Sequence, residues 1–339
     1  MIKKLSVKNL ANIKSFEFDN FSNINVFIGE NDTGKTMILK ILYSIEKSLE
    51  NFQRGDENRT FKEIISDKLY WTFQVDKIGD LVTKDRKDKS SHLEIQAQID
   101  NQNILVKFSD SATKQVGTVT EMVEHIDRNS IFIPAKEVLS LFKVIKKSRE
   151  IDKSFGFDDT YLDLVNALEK EPQKGNNHRH FVKSKKILKG LIHGRISYSK
   201  SGSWHFHKRN MKIPISSTAE GIKKIGIIDR LLSNKYLQDG SVVFIDEPES
   251  FLHPKAVIEF IDIITLLSKH NIQIFLSTHS YFVINKLKLV AKKEKINIPI
   301  ISLFDNNYEI FDLLEDGLPD NPIIDTSIAL YEEELDLEL

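Results

Sequence analysis

Residues 24–37 read Ile-Asn-Val-Phe-Ile-Gly-Glu-Asn-Asp-Thr-Gly-Lys-Thr-Met, and this stretch decides the fold. It contains the string G-x-x-x-x-G-K-T at residues 29–36. The apolar run at 25–28 predicts a buried β-strand, and the apolar spacing at 36–50 predicts a helix. A strand, a glycine-bearing loop and a helix start form a cradle of backbone N–H groups, where the helix dipole favours negative charge. The stretch therefore predicts a site for the phosphates of a nucleotide.

The chemistry of this loop assigns roles to its side chains. Lys35 is predicted to reach the β- and γ-phosphates, and the Thr36 hydroxyl is predicted to bind Mg²⁺. The residues expected to contact the nucleotide are Gly29, Asn31, Asp32, Thr33, Gly34, Lys35, Thr36 and Met37. The alternative is a chance match in a glycine-containing turn, which the flanking strand and helix disfavour.

Length and composition exclude several classes of protein. The 339 residues suffice for one large domain or two, and none of them is cysteine. The lack of cysteine excludes disulfides, thiolate zinc sites and cysteine nucleophiles, and it suits a reducing compartment. No apolar run approaches the roughly 18 residues of a membrane span, and the N-terminus does not resemble a signal peptide. We therefore expect a cytoplasmic protein with no membrane partner.

Charge is distributed unevenly although the net charge is only −1. Residues 172–213 contain eleven Lys and Arg and no acid, and residues 296–339 contain twelve Asp and Glu and no base. Two interpretations stay open. The basic region is a nucleic-acid-facing patch with a separate acidic tail, or the two regions are solvated faces that screen each other.

Hydrophobic patterning divides the chain into four parts. Residues 1–137 carry the phosphate loop and alternating segments, including a hairpin at 93–108, that predict an antiparallel β subdomain. Residues 138–194 predict a helical insertion with a break at 171–177. Residues 195–315 begin with a hairpin at 196–207 and continue with buried strands and helices that complete the main sheet, and residues 316–339 form an acidic C-terminal tail.

Two buried strands in the last third of the chain end in polar residues. Residues 242–245 lead into Asp246 and Glu247, and residues 272–277 lead towards His279. The 33 residues from Asp246 to His279 give room for a turn, a helix and the neighbouring parallel strand. Ligands bind beyond the carboxyl ends of strands in open α/β sheets. We therefore expect both residues at the same sheet edge as Lys35.

This convergence predicts a hydrolytic site. Thr36 and Asp246 would hold Mg²⁺, and Glu247 would orient or deprotonate the attacking water. His279 would contact the γ-phosphate. Upstream of these strands, Ser-Ser-Thr at 216–218 precedes another helix and is predicted to cap its first N–H groups.

The order of these motifs resembles the ABC-type ATPases. The motifs are the glycine-rich string, the Ser-rich segment before a helix, Asp-Glu-Pro-Glu with Leu-His-Pro after it, and Ser-Thr-His-Ser. Within that class the sequence is similar to the branch that includes RecF, the structural-maintenance-of-chromosomes (SMC) proteins and the OLD nucleases, and especially to OLD-type prokaryotic defence ATPases. The resemblance covers residues 1–45 and 205–304.

The resemblance implies an α/β P-loop NTPase with an ABC-ATPase-like mixed sheet, helices on its faces, an antiparallel β subdomain and a helical insertion. It also implies a head-to-tail homodimer or higher oligomer. ATP would lie between Lys35 of one subunit and the signature segment, residues 216–221, of the other, with Ser217 and Gly221 as contacts. The segment lacks the Ser-Gly-Gly of the family, and residues 135–137 occupy the position of its usual glutamine loop.

Several functions are compatible with this resemblance. The favoured one is a Mg²⁺-dependent ATPase that regulates a separate effector, a nuclease or toxin, in a prokaryotic anti-phage defence or toxin-like system. Only about 35 residues follow Phe304, too few for the nuclease domain of the OLD proteins. The alternatives are a RecF- or SMC-like DNA-binding repair ATPase, a transporter ATPase subunit, and an ATP-gated scaffold. The guanine-reading string N-K-x-D is absent, so ATP is favoured over GTP.

Overall fold

The computed structural model describes residues 1–84, 91–173, 181–199, 202–304 and 307–338. The strands in these ranges are β1 (Ile2–Leu10), β2 (Ile13–Phe18), β3 (Ile24–Gly29), β4 (His92–Ile99), β5 (Gln102–Ser109), β6 (Thr118–Val119), β7 (Ser130–Ile133), β8 (Arg195–Tyr198), β9 (Trp204–Lys208), β10 (Met211–Pro214), β11 (Val242–Asp246), β12 (Gln273–Thr278), β13 (Pro299–Phe304) and β14 (Asn307–Asp312). The helices are α1 (Lys35–Asn51), α2 (Phe61–Phe73), α3 (Phe142–Lys146), α4 (Asp159–Glu169), α5 (Phe181–Ile192), α6 (Glu220–Ser233), α7 (Pro254–Ser268), α8 (Tyr281–Glu294) and α9 (Pro322–Glu338). Short 3-10 turns lie at Ile78–Leu81 and Ile215–Ser217, and a π-helical turn lies at Lys147–Ile151.

A six-stranded sheet forms the centre of the molecule, in the order β14-β13-β3-β12-β11-β7. All neighbours in it are parallel except β14, which runs antiparallel to β13 at the edge. Every residue of β3 and β12 is buried, because helices or a second sheet cover both faces of these strands. The carboxyl ends of β3, β12 and β11 therefore meet at one edge.

Helix α1 lies between this sheet and a five-stranded antiparallel sheet, β2-β1-β4-β5-β6. The apolar positions expected from the spacing at 36–50 are buried, as predicted. Besides Lys35 at the start of α1, three charged side chains of this helix are buried, Glu46, Lys47 and Glu50, and each of these three has an ionic partner. Burial of a charge is costly unless it is paired and hydrogen-bonded, so these partners permit α1 to be covered on all sides.

The opposite face of the central sheet is covered by α4, α6, α7 and α8, which share one continuous apolar core with it. Helices α3, α4 and α5 come from the predicted insertion, and α9 comes from the acidic tail. A separate three-stranded sheet, β10-β9-β8, extends the predicted hairpin at 196–207 by one strand. Residues 174–177 of the predicted break lie outside the described residues.

The predicted fold class is confirmed: a mixed α/β sheet with flanking helices, an antiparallel β subdomain and helices between β7 and β8. The boundaries of the four parts stay predictions. In the described ranges, no helix combines the length and the apolar character needed to cross a bilayer.

Candidate functional site

The glycine-rich loop turns back on itself between β3 and α1. Gly29 ends β3 with a φ of +143°, and Gly34 precedes α1 with a φ of +96°. A Cβ on Gly29 would lie 2.3 Å from the backbone oxygen of Leu303, and a Cβ on Gly34 would lie 2.6 Å from Cδ1 of Ile13. Residues other than glycine rarely adopt such φ values, so the loop needs glycine at both positions.

Lys35 is the first residue of α1 and is only 7% exposed. Its Nζ donates to the backbone oxygens of Gly29 at 2.8 Å and Glu30 at 2.6 Å. Burial lowers the pKa of Lys35, against an opposing effect of nearby carboxylates led by Asp246. The amine therefore lies within the loop that the sequence assigns to phosphate.

Thr36 and Asp246 are 210 positions apart in the chain but are hydrogen-bonded to each other, with 3.0 Å between Thr36 Oγ1 and Asp246 Oδ1. The Ser277 hydroxyl donates to the same carboxylate oxygen. The parallel register explains the contact, since Asp246 pairs with Ser277 of β12 and β12 pairs in turn with β3. The two residues predicted to share a metal ion are thus adjacent, and their oxygen atoms are of the kind Mg²⁺ prefers.

Glu247 follows β11 directly and adopts a left-handed backbone conformation, with a φ of +47°. Its amide donates to the carbonyl oxygen of Ser277 at 2.9 Å, and its Oε2 accepts from the Ser250 hydroxyl at 2.8 Å. His279 follows the adjacent strand, and its Nδ1 lies 3.4 Å from Oε1 of Glu247. The predicted water-activating acid and the predicted γ-phosphate contact therefore stand side by side, both partly exposed.

Glu249 joins the two polar loops, which are the loop after β11 and the loop after β12. The sequence analysis missed this role. Its Oε1 accepts from the Thr278 hydroxyl at 2.7 Å and from the His279 amide at 3.1 Å. Its other carboxylate oxygen is buried and has no hydrogen-bond partner within the described residues. The signal was present in the string Asp-Glu-Pro-Glu, whose second glutamate follows the first by two residues.

Lys224 of α6 was also missed. It is 7% exposed, and its Nζ donates to the backbone oxygen of Glu247 at 2.5 Å. Burial lowers the pKa of Lys224 to about 8, although the carboxylates of Glu249, Asp246 and Glu247 act in the opposite direction. Helical spacing could have found it, because Lys224 lies one turn before the buried Ile228 on the same face.

A cleft of about 440 Å³ opens over the phosphate loop. Its lining includes Glu247 and the turn between β1 and β2, and the residues are Ala11, Asn12, Asn31, Asp32, Gly34, Lys35, Thr36, Met37 and Glu247. The side-chain Nδ2 of Asn12 donates to the backbone oxygen of Asp32. No sequence motif pointed to Asn12, because its contact depends on how β1 and β2 fold over the loop.

The signature segment lies at the start of α6, and Ser217 and Gly221 are not among the described residues that line the cleft. The predicted side-chain cap was wrong: the N-cap is Ala219, and within the described part of the chain α6 has no side-chain cap hydrogen bond. The hydroxyl of Thr218 donates instead to the Pro214 carbonyl, at 3.1 Å. A Cβ on Gly221 would lie 2.8 Å from Cδ2 of Leu252, so this glycine lets α6 approach the loop after β11.

Residues 135–137, assigned by position to the glutamine-loop role, follow β7, which pairs in parallel with β11. They therefore lie at the same sheet edge as Asp246. Glu137 is 3.8 Å from Nζ of Lys223 on α6. The segment thus lies beside the signature helix.

Comparison with known proteins identifies the class. The family model described as "AAA domain, putative AbiEii toxin, Type IV TA system" matches residues 51–285, more than half of the chain. This range includes Asp246, Glu247 and His279 and begins after the phosphate loop. No curated protein matched the sequence.

Solved structures resemble the chain over nearly its whole length. An SMC head bound to the C-terminal winged-helix domain of ScpA is 15% identical with a TM-score of 0.51, covering 92% of this chain and 97% of that one. An SMC head with an extended coiled coil, bound to the C-terminal domain of ScpA from Pyrococcus furiosus, is 13% identical with a TM-score of 0.50, covering 98% of each chain. At these identities the likeness shows the fold, which is that of the P-loop ATPase heads.

Proposed function

This chain belongs to the AAA-domain family that matches its residues 51–285, and on that premise we propose that it is a Mg²⁺-dependent ATP hydrolase that regulates a separate effector. Its match to an AAA-domain family and its SMC-head-like fold support ATP binding. The observation that carries the proposal is the hydrogen bond between Thr36 and Asp246 beside the paired Glu247 and His279.

Magnesium would be held by oxygen ligands at the carboxyl edge of the central sheet. The Thr36 hydroxyl and the Asp246 carboxylate supply two of them, and Mg²⁺ usually completes its shell with phosphate oxygens and water. Lys35, at the start of α1, would bind the β- and γ-phosphates. The ion would neutralise charge that develops on the phosphates during transfer.

Hydrolysis would then depend on Glu247, which is among the residues that line the cleft over the phosphate loop. A positioned carboxylate can orient the attacking water and accept its proton. His279, whose Nδ1 lies 3.4 Å from Oε1 of Glu247, would contact the γ-phosphate. Both side chains come from the ends of neighbouring strands, which gives them a rigid support.

We propose an ATP-bound head-to-tail dimer as the active form. Ser217 and Gly221 do not line the cleft of their own chain, so a second copy would have to supply them to complete the site. Phe251 and Phe282 support the same arrangement, because they follow the two polar loops and are 70% and 55% exposed. A second subunit would cover these apolar side chains.

The effector and the biological setting are inferred from the family. Its description, "putative AbiEii toxin, Type IV TA system", supports a defence or toxin-like role. The acidic helix α9 is a candidate docking element, since it exposes Leu330, Tyr331 and Leu337 among its acids. ATP closure and hydrolysis would then control release or activation of a partner protein.

The experiment combines turnover with assembly state. Wild-type protein is expected to hydrolyse ATP only with Mg²⁺, and Glu247→Gln is expected to bind ATP but slow turnover by roughly 10²- to 10⁴-fold. The variant should accumulate as a dimer in size-exclusion chromatography with light scattering when ATP and Mg²⁺ are present. Unchanged turnover in the Glu247→Gln variant would contradict the role proposed for this residue. A variant that stays monomeric with ATP and Mg²⁺ would contradict the proposed dimer.

A second function, DNA binding in repair, is favoured by one observation. Lys208, Arg209 and Lys212 are exposed at the turn between β9 and β10, and Lys186 and Lys189 are exposed on α5. A DNA-binding role predicts that log affinity falls with log salt by about one unit per phosphate contact. A salt-independent or undetectable affinity for duplex DNA would leave the effector-regulating role.

A further inference from the structure

Lys224 lies behind the proposed hydrolytic site rather than in its cleft. It belongs to the second turn of α6, the helix that begins at the signature segment. Its side chain crosses to the loop after β11 and donates to the carbonyl oxygen of Glu247 at 2.5 Å. With 7% of the residue exposed, this contact is shielded from water.

The backbone that Lys224 contacts is in a strained conformation. Glu247 has a φ of +47°, in the left-handed region that non-glycine residues rarely adopt. Such a conformation persists only where the surroundings hold it. Here the amide of Glu247 donates to Ser277, and its carbonyl accepts from both Lys224 and the Ser250 amide. Lys224 is the only one of these partners that comes from α6.

The adjacent residue, Lys223, provides a matched comparison. It is also a buried lysine, 4% exposed, but its Nζ approaches Glu220 at 2.6 Å and the Ser140 hydroxyl at 3.0 Å. It therefore holds α6 to its own first turn and to the segment after β7. The two lysines share helix, charge and burial, and they differ in the loop they contact.

We propose that Lys224 is a positioning residue for hydrolysis, which fixes the backbone of Glu247 and thereby aims its carboxylate. The inference rests on the proposed function and adds a residue to it. Because Lys224 stands one turn after the signature segment, it also connects α6 to the water-activating group of the same subunit. A movement of α6 when a second copy binds would be transmitted to Glu247 through this contact.

The test is a double-mutant cycle measured in single-turnover ATP hydrolysis with excess full-length protein. Lys224→Met is expected to lower the hydrolysis rate roughly 10- to 100-fold, because small displacements of a catalytic group have effects of this size. The KM for ATP in steady state should stay within about twofold, since Lys224 does not contact the proposed phosphate site. In a Glu247→Gln background the same substitution should have almost no further effect.

Lys223→Met is the control, and it should change the rate by the same factor in both backgrounds. If Lys224→Met prevents folding, Lys224→Gln keeps an N–H donor one bond shorter, and the same cycle applies to it. Melting temperatures verify that each variant is folded.

Any of three results would overturn the inference. A folded Lys224 variant could hydrolyse ATP at the wild-type rate, or Lys224→Met could lower the rate by the same factor in the wild-type and Glu247→Gln backgrounds. The third result is that Lys223→Met shows the same non-additivity with Glu247→Gln as Lys224→Met does. These leave the proposed function intact if wild-type protein turns over ATP. Failure of the wild type to hydrolyse ATP at all would reject the proposed function, and this inference with it.

Discussion

Gly29→Ala tests the geometry of the phosphate loop. The residue has a φ of +143°, where an L side chain is strained, and a Cβ there would lie 2.3 Å from the backbone oxygen of Leu303 and 2.9 Å from the Thr33 hydroxyl. The Thr33 side chain can rotate away. Leu303 cannot move easily, because its strand β13 is paired with β3 on one side and β14 on the other.

Two costs add for this substitution. Backbone strain of this kind costs about 1–3 kcal/mol, and forcing an extra carbon into a packed site costs about 1–3 kcal/mol. We therefore expect Gly29→Ala to lower the free energy of unfolding by about 2–6 kcal/mol. ATP binding should also weaken, because the carbonyl of Gly29 accepts from Lys35 within the same loop.

Gly240→Ala separates the two costs. Gly240 also has a positive φ, +81°, but a Cβ there would meet no atom within 4 Å. This control should lose only about 1–2 kcal/mol, the strain of a left-handed residue. The assay is urea unfolding followed by circular dichroism, with ATP affinity measured by calorimetry. Equal losses in the two variants would refute the reasoning, because the contact with Leu303 would then cost nothing.

Two further predictions concern the site and the surface. Lys35→Ala should abolish ATP binding, measured by calorimetry, because the buried amine is the cation of the phosphate loop; wild-type affinity would show that the loop is misassigned. Hydrogen bonds from Arg59 lower the pKa of Glu57 from its ordinary value of 4.5 to about 2. The ionised carboxylate therefore stabilises the fold fully above pH 4.5, and this stabilisation is lost as the pH falls towards 2. The stability difference between wild type and Glu57→Gln, at most about 1 kcal/mol for such a surface pair, should therefore shrink across that pH range in urea unfolding, and a constant difference would contradict the assignment.

Much of the fold could be predicted because its signals are local. The strand, loop and helix around Gly29 and Lys35 follow from one string and its apolar flanks. The proximity of Thr36 to Asp246 followed from chain length and the rule that parallel strands end at one edge, and the structure has them 3.0 Å apart. The family resemblance and the fold class are confirmed, while the roles of these residues stay proposals.

Other features could not be read from patterns. Periodicity indicates which face of an element is buried but not what lies against it. The buried Glu46, Lys47 and Glu50 of α1 do not fit a pattern in which only apolar residues of a helix face the core. Their ionic and hydrogen-bond partners come from other turns of α1 and from other segments of the chain. The side-chain cap predicted at 216–218 failed because a 3-10 turn forms at Ile215–Ser217 and the next helix begins after Ala219, its N-cap.

The amino-acid sequence by itself determined the phosphate loop and the polar residues that follow two later buried strands, because each depends on neighbours a few positions away. Only the tertiary structure decided that Glu249 ties the two polar loops together and that Lys224 reaches the carbonyl of Glu247. These contacts join residues 23 to 30 positions apart. Their geometry depends on how helices and strands pack, and no local pattern encodes that.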